Sequence, residues 1–166
     1  TLLRASSCSK HYVAYSLENC YTQGDNCRLN FNADVTPEDL QDTYLPAFQT
    51  VVQKGGASGL MCSYNAISGV PACADRSTLT ETARDAWGFD GYITSDCGAV
   101  SHVSLPPPTS HPWNKRDSGG HGYPTAGDTA TAVLKAGMDS NCNLMGGWGS
   151  GNPASSTTPL AVVDAA

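Results

Sequence analysis

The chain has 166 residues, 40% hydrophobic and 14% charged, with 9 Lys and Arg against 15 Asp and Glu and a formal net charge of −6. That is the composition of a globular domain with enough apolar content for a core, and its acidic balance argues against nucleic acid or an anionic membrane as the main partner. No apolar run approaches the roughly 18 residues a membrane span needs. Thr1-Leu2-Leu3-Arg4 offers neither an initiator Met nor a signal-peptide core, so the chain reads as cut from something longer.

In chain order, a truncated strand is expected before Lys10, and Arg28 follows in a loop. A helix starts at Thr36-Pro37-Glu38-Asp39, with Thr36 as cap, Pro37 at the first helical position and early acids facing the positive end of the helix dipole. Leu40, Tyr44, Phe48 and Val51 recur along one face, Pro46 should kink or loosen the helix, and Gly55-Gly56 end it. An apolar strand over Leu60–Tyr64 comes next, then a turn around Ser68-Gly69.

A second helix is predicted from about Leu79 to Trp87, with Thr78 and Glu81 spaced as a capping box and Gly88 as the stop. The strand Tyr92-Ile93-Thr94 then runs into Ser95-Asp96-Cys97. Ser104 to Thr125 is rich in Pro, Gly, Ser and His and reads as a long loop. A third helix spans about Asp128 to Lys135, ended by Gly137, and Met138-Asp139-Ser140 starts one more strand. Residues 146–166 form a Gly/Ser/Thr/Pro-rich tail or linker toward a missing second domain, leaving 1–145 as the folded unit. Alternating strands and helices define a parallel α/β fold. A closed (β/α)8 barrel takes about 250 residues, so the chain is expected to be the incomplete, C-terminal part of a TIM-like barrel.

Seven cysteines are many for this length, and none forms a Cys-x-x-Cys pair, which argues against a metal site. Disulfides in an oxidising compartment fit better, with one thiol left over or partnered outside the chain. Cys20 with Cys27, and Cys62 with Cys73, can each close a short loop. No Asn-x-Ser/Thr sequon supports secretion from that side.

Asp96, taken alone, reads first as a helix cap or turn opener. The exit of a strand is also where barrel enzymes place catalytic groups. Lys10-His11 reads first as a surface pair, although two basic side chains at a strand exit can donate hydrogen bonds to a polyol. Tyr64 ends its own strand; in one parallel sheet it would share a face with Asp96 and could hold the carboxylate in place. Met61 is core filler on its usual role.

Together, Lys10-His11, Met61-Cys62-Ser63-Tyr64-Asn65, Gly69-Val70-Pro71-Ala72-Cys73 and Thr94-Ser95-Asp96-Cys97 resemble glycoside hydrolase family three, most closely its β-xylosidase branch. The resemblance runs from about Cys8 to Cys142. It implies that Asp96 is the nucleophile of a retaining glycosidase. Lys10 and His11 then bind sugar hydroxyls, Arg28 contacts the nucleophile region, and Met61 and Tyr64 line the pocket. It also implies that Cys97 and Cys142 bridge beside the nucleophile and crowd out a hexose. No cofactor or metal belongs to that chemistry; the partners are an oligosaccharide or an aryl or alkyl glycoside.

The family's acid/base Glu comes from a later domain and has no counterpart here, since Glu18, Glu38 and Glu81 read as loop or helix acids. The expectation is a secreted, exo-acting β-xylosidase that is inactive as this isolated chain. β-Glucosidase, α-L-arabinofuranosidase and a degenerate sugar-binding member are the alternatives. A hydrolase using Cys97 as a thiol nucleophile is a remote rival, because no His is placed by sequence to activate it.

Overall fold

The computed structural model describes residues 5–18, 27–29, 31–103, 123 and 126–142. Three strands, β1 (Cys8–Tyr12), β3 (Gly59–Cys62) and β6 (Tyr92–Ser95), form a parallel sheet in the order β1-β3-β6. Ser9 lies opposite Leu60, and Leu60 opposite Ile93. The sheet alternates as pleating requires. Leu60, Cys62, Ile93 and Ser95 are fully buried on one face, whereas Met61 and Thr94 are half-buried on the other. The first strand is therefore a full neighbour in the sheet, where the sequence suggested only a truncated one.

The buried face is covered by helices. The first, α1, begins at Pro37–Asp39, passes through a π-type turn at Leu40–Tyr44 and continues as Leu45–Gln53. Thr36 caps it as expected, accepting the Asp39 amide at 3.0 Å. Pro46 has no N–H to offer the preceding turn, and the helix accommodates it by widening just upstream, with the Leu45 amide bonded to the Leu40 carbonyl. Phe48 then packs edge-on against Tyr12 of β1 (centroids 4.9 Å apart), with Trp87 on the same ring at 6.1 Å.

The second helix, α2 (Ser77–Ala86), starts earlier than its sequence pattern suggested, and the Thr78/Glu81 capping box is not formed. Asp75 takes over: its carboxylate accepts the Ser77 amide and the Thr78 hydroxyl, each at 3.0 Å, while Glu81 pairs with Arg76. Gly88 ends this helix with φ +73°, a conformation that favours glycine.

A small second sheet, β2 (Asn32–Ala33), β4 (Ala66–Ile67) and β5 (Val70–Pro71), contains the predicted turn. Ser68 (φ 46°) and Gly69 (φ 92°) both adopt the left-handed region that a two-residue hairpin demands. Asn32 holds the turn by accepting the Gly69 amide at 2.7 Å.

The short helix α3 (Ala99–Val103) follows β6, and α4 (Ala126–Ala136) brackets the predicted third helix. The strand expected at Met138–Ser140 appears as a single parallel bridge, Thr94 to Ser140, along the outer edge of β6. Arg84 of α2 fixes that edge by donating to the carbonyls of Gly91 and Gly137 and to the Asp139 carboxylate. The same Asp139 oxygen accepts the Ile93 amide at 2.7 Å. The Cys20–Cys27 pairing, the 104–125 loop apart from Tyr123, and the 146–166 tail lie outside the described residues.

Candidate active site

The site is built at the C-terminal ends of the parallel strands. Asp96 is the first residue after β6, and its amide donates to the Cys62 carbonyl at 2.9 Å, continuing the pairing of β6 with β3. Alternation puts its side chain on the face of Met61 and Thr94, away from the helices. One carboxylate oxygen accepts the Cys97 amide at 2.7 Å; the other lies 3.1 Å from His11 Nε2. The side chain is 14% exposed, so it is sheltered yet reachable. The turn that follows is closed on the Asp96 main-chain carbonyl, which accepts the Ala99 amide at 2.9 Å, rather than by a side-chain cap.

His11 lies on β1, two strands away. Burial lowers its pKa below 6.5, and this outweighs the opposing pull of Asp96. The imidazole is therefore neutral at neutral pH, and with a carboxylate as acceptor its Nε2 must carry the proton and donate. Lys10, exposed on the same strand, adds positive charge that also lowers His11.

Tyr64 lies two residues beyond the end of β3 and reaches the same end of the sheet. Its hydroxyl donates to the Cys97 carbonyl at 2.7 Å, so it braces the main chain beside Asp96. Burial first, and Asp96 next, raise its pKa and keep it a neutral donor. Arg28 lies over the Tyr64 ring, 5.8 Å from its centroid, and its ion pair is with Glu18 at 2.7 Å rather than with Asp96. Glu18, read from sequence as a plain loop acid, thus belongs to the rim of the site.

Behind Asp96, Cys97 and Cys142 form a disulfide, which excludes Cys97 as a thiol nucleophile. The pairing is reinforced by hydrogen bonds: the Gly98 amide donates to the Cys142 carbonyl at 2.8 Å, and the Cys142 amide donates to the Ser95 side chain at Oγ, 3.0 Å away. Ser95 in turn donates to Asn141 at 2.9 Å. A second disulfide, Cys62–Cys73, ties the end of β3 to the segment after the hairpin, and Cys8 is a free thiol.

Four contributors escaped the sequence reading: Tyr15, Glu18, Asn65 and His102. Asn65 is fully buried and donates to the Val13 and Ala14 carbonyls, holding the turn that follows Lys10-His11. His102 packs edge-on to Tyr64 at 5.7 Å. Asn65 ends the Met61–Asn65 motif without being singled out there; Tyr15, Glu18 and His102 lie on no periodic face and in no short motif, so only the fold brings them together. A recess of about 530 Å³ opens at the opposite end of the strands, lined by Val52, Trp87 and Asp90 among others; it holds none of these groups. Among the described residues, no cluster of His, Cys, Asp or Glu is suited to holding a metal ion.

A parallel α/β sheet with a carboxylate and its donors at the carboxyl ends of the strands has the architecture of an α/β enzyme, which binds its ligand at that edge. The chain belongs to the glycosyl hydrolase family 3, matching its N-terminal domain over residues 5–139. It is 45% identical over 141 residues to "Probable beta-D-xylosidase 7" of Arabidopsis thaliana, covering 84% of this chain and 16% of that protein. It is 36% identical over 140 residues to "Beta-xylosidase/alpha-L-arabinofuranosidase 2" of Medicago sativa subsp. varia, with the same shares covered. Among solved structures, a GH3 exo-beta-xylosidase (XlnD) in complex with a xylobiose aziridine probe matches with TM-score 0.66 and 32% identity, over 82% of this chain and 16% of that one. The chain thus spans about one sixth of the length of these relatives.

Proposed function

We propose that this chain is the nucleophile-bearing, C-terminal part of a (β/α)8 barrel in a secreted, retaining, exo-acting β-xylosidase. The observation that carries the reading is Asp96, sheltered at the exit of β6 with one oxygen on the Cys97 amide and the other facing His11. That environment suits a carboxylate that must attack an anomeric carbon: a fixed oxygen orients it, and a neutral donor leaves the second oxygen reactive.

In this reading the Asp96 oxygen forms the ester bond to the anomeric carbon of a terminal β-D-xylosyl residue as the glycosidic C–O bond breaks. A carboxylic acid about 5–5.5 Å away protonates the leaving oxygen and then, as carboxylate, takes a proton from the water that hydrolyses the ester. That acid is contributed from outside this chain, so residues 1–166 alone are expected to turn over no glycoside. Lys10 and His11 donate to sugar hydroxyls, Arg28 and Tyr64 fix the pocket wall, and Met61 lines it. The Cys97–Cys142 bridge narrows the pocket against the extra carbon of a hexose. No cofactor takes part.

The Medicago relative, named for both xyloside and arabinofuranoside activity, supports an α-L-arabinofuranosidase reading as the alternative. The test is to incubate the complete gene product carrying this chain with a 2-deoxy-2-fluoro β-xyloside bearing a good leaving group, then locate the label by peptide mass spectrometry. Label on Asp96, lost in Asp96→Asn, supports the assignment; label on another acid overturns it. A panel of aryl xylosides, glucosides and arabinofuranosides then ranks the sugars.

A further inference from the structure

Tyr15 lies four residues past His11, beyond the Val13–Ala14 turn that Asn65 holds. Its ring packs on three aromatic neighbours: His11 at 5.0 Å, Phe31 at 5.9 Å and Tyr64 at 6.1 Å. Phenylalanine would keep all three contacts. The hydroxyl is buried and meets no partner in hydrogen-bonding geometry, although the Arg28 guanidinium comes close enough to lower its pKa. A buried hydroxyl without a partner costs about 1–3 kcal/mol, so packing does not account for it.

The surroundings of that hydroxyl are those of the site. Arg28, Glu18 and Asp96 all lie near enough to act on its charge. Burial dominates and raises the phenol, with Arg28 opposing, so it stays protonated and able to donate at neutral pH. His102, whose Nδ1 is also buried without a partner, differs: burial alone shifts it, with no charged group facing it closely enough to contribute. Tyr15 is therefore the orphan that the charged rim encloses.

We propose that Tyr15 is a further sugar-contacting residue, whose hydroxyl gains its hydrogen-bond partner when one pyranose hydroxyl of a glycoside enters between Arg28 and Asp96. The inference rests on the glycosidase reading of Asp96. A site built to bond a substrate hydroxyl discriminates against an analogue lacking it, because its own polar group is then left unpaired.

The test compares wild type and Tyr15→Phe in the complete gene product, using an aryl β-xyloside and its monodeoxy analogues. Tyr15→Phe should lower kcat/KM on the parent xyloside by about three- to tenfold, the worth of one neutral hydrogen bond. For one deoxy analogue, wild type and variant should become equal. Its thermal midpoint should hold or rise, since an unpaired buried hydroxyl has gone. Unchanged kcat/KM, or an equal loss on every analogue, overturns the role of Tyr15, as does a variant that is markedly destabilised or unfolded. Normal labelling of Asp96 with an indifferent Tyr15→Phe removes Tyr15 alone. A wild type with neither turnover nor label removes the glycosidase reading and this inference with it.

Discussion

The Tyr64 hydroxyl donates to the main-chain carbonyl of Cys97, one residue beyond Asp96. The brace acts on the residue whose own amide donates to Asp96, so the phenol and the carboxylate are linked through one residue of backbone. Tyr64 therefore bears on the carboxylate through the main chain as well as directly, Asp96 lying near enough to raise the phenol after burial has done so.

Removing that brace should affect chemistry more than folding. Tyr64→Phe in the complete gene product is expected to lower kcat on an aryl β-xyloside by about three- to tenfold, one hydrogen bond's worth. The circular dichroism spectrum should be unchanged. A variant with wild-type kcat would show that the Cys97 carbonyl needs no such support.

His11 bears on Asp96 directly. A hydrogen bond to a charged group is worth more than a neutral one, so His11→Ala should reduce kcat/KM by about 10- to 100-fold and slow fluoroglycoside labelling of Asp96. Wild-type labelling rates in His11→Ala would exclude it from the site.

The pH dependence of stability carries a signature of His102. Burial holds its folded pKa below the ordinary 6.5. The unfolded chain therefore binds a proton first as pH falls, and stability drops from about pH 6.5 downward, through the depressed folded pKa. His11 has the same sign, whereas Asp75, raised by burial, contributes stability that is lost as pH rises above 3.8. Both are common to wild type and His102→Phe, so the difference between the two isolates His102. Denaturant midpoints from pH 7.5 to 5 should fall less steeply in His102→Phe; parallel curves would count against the assignment.

Asp139 tests the edge of β6 independently of the site. Its carboxylate serves both the Ile93 amide and Arg84. Asp139→Ala leaves a strand amide without its acceptor and should destabilise the protein by about 1–3 kcal/mol. The ion-pair share of this is small, because Asp139 is 50% exposed. An unchanged denaturant midpoint would show that another acceptor takes over.

Local chemistry explains what sequence made visible. Thr36, Ser68-Gly69, Gly88 and Gly137 are punctuation read within a few residues, and β6 announces itself by β-branched and aromatic residues running into Asp96. The parallel order of the strands followed from their alternation with helices. The cap of α2 was misassigned because Thr78 and Glu81 satisfy a spacing rule that says nothing of Asp75, whose carboxylate takes the Ser77 amide and engages the Thr78 hydroxyl. Tyr15, Glu18 and His102 were invisible for a different reason. The pairing of β1 with β3 brings Tyr15 to Tyr64, that of β3 with β6 brings His102 to Tyr64, and Glu18 meets Arg28 within the segment after β1; no periodicity encodes these contacts.

The disulfide beside Asp96 joins residues 45 positions apart, and the hydrogen bonds of Ser95, Gly98 and Cys142 clamp the same two stretches. Both ends of the intervening sequence are thus moored independently of what lies between them. Lengthening or shortening the stretch around residues 104–122 need not move the carboxylate. This gives a lineage, or a protein engineer, a stretch whose length can change while the setting of Asp96 stays fixed.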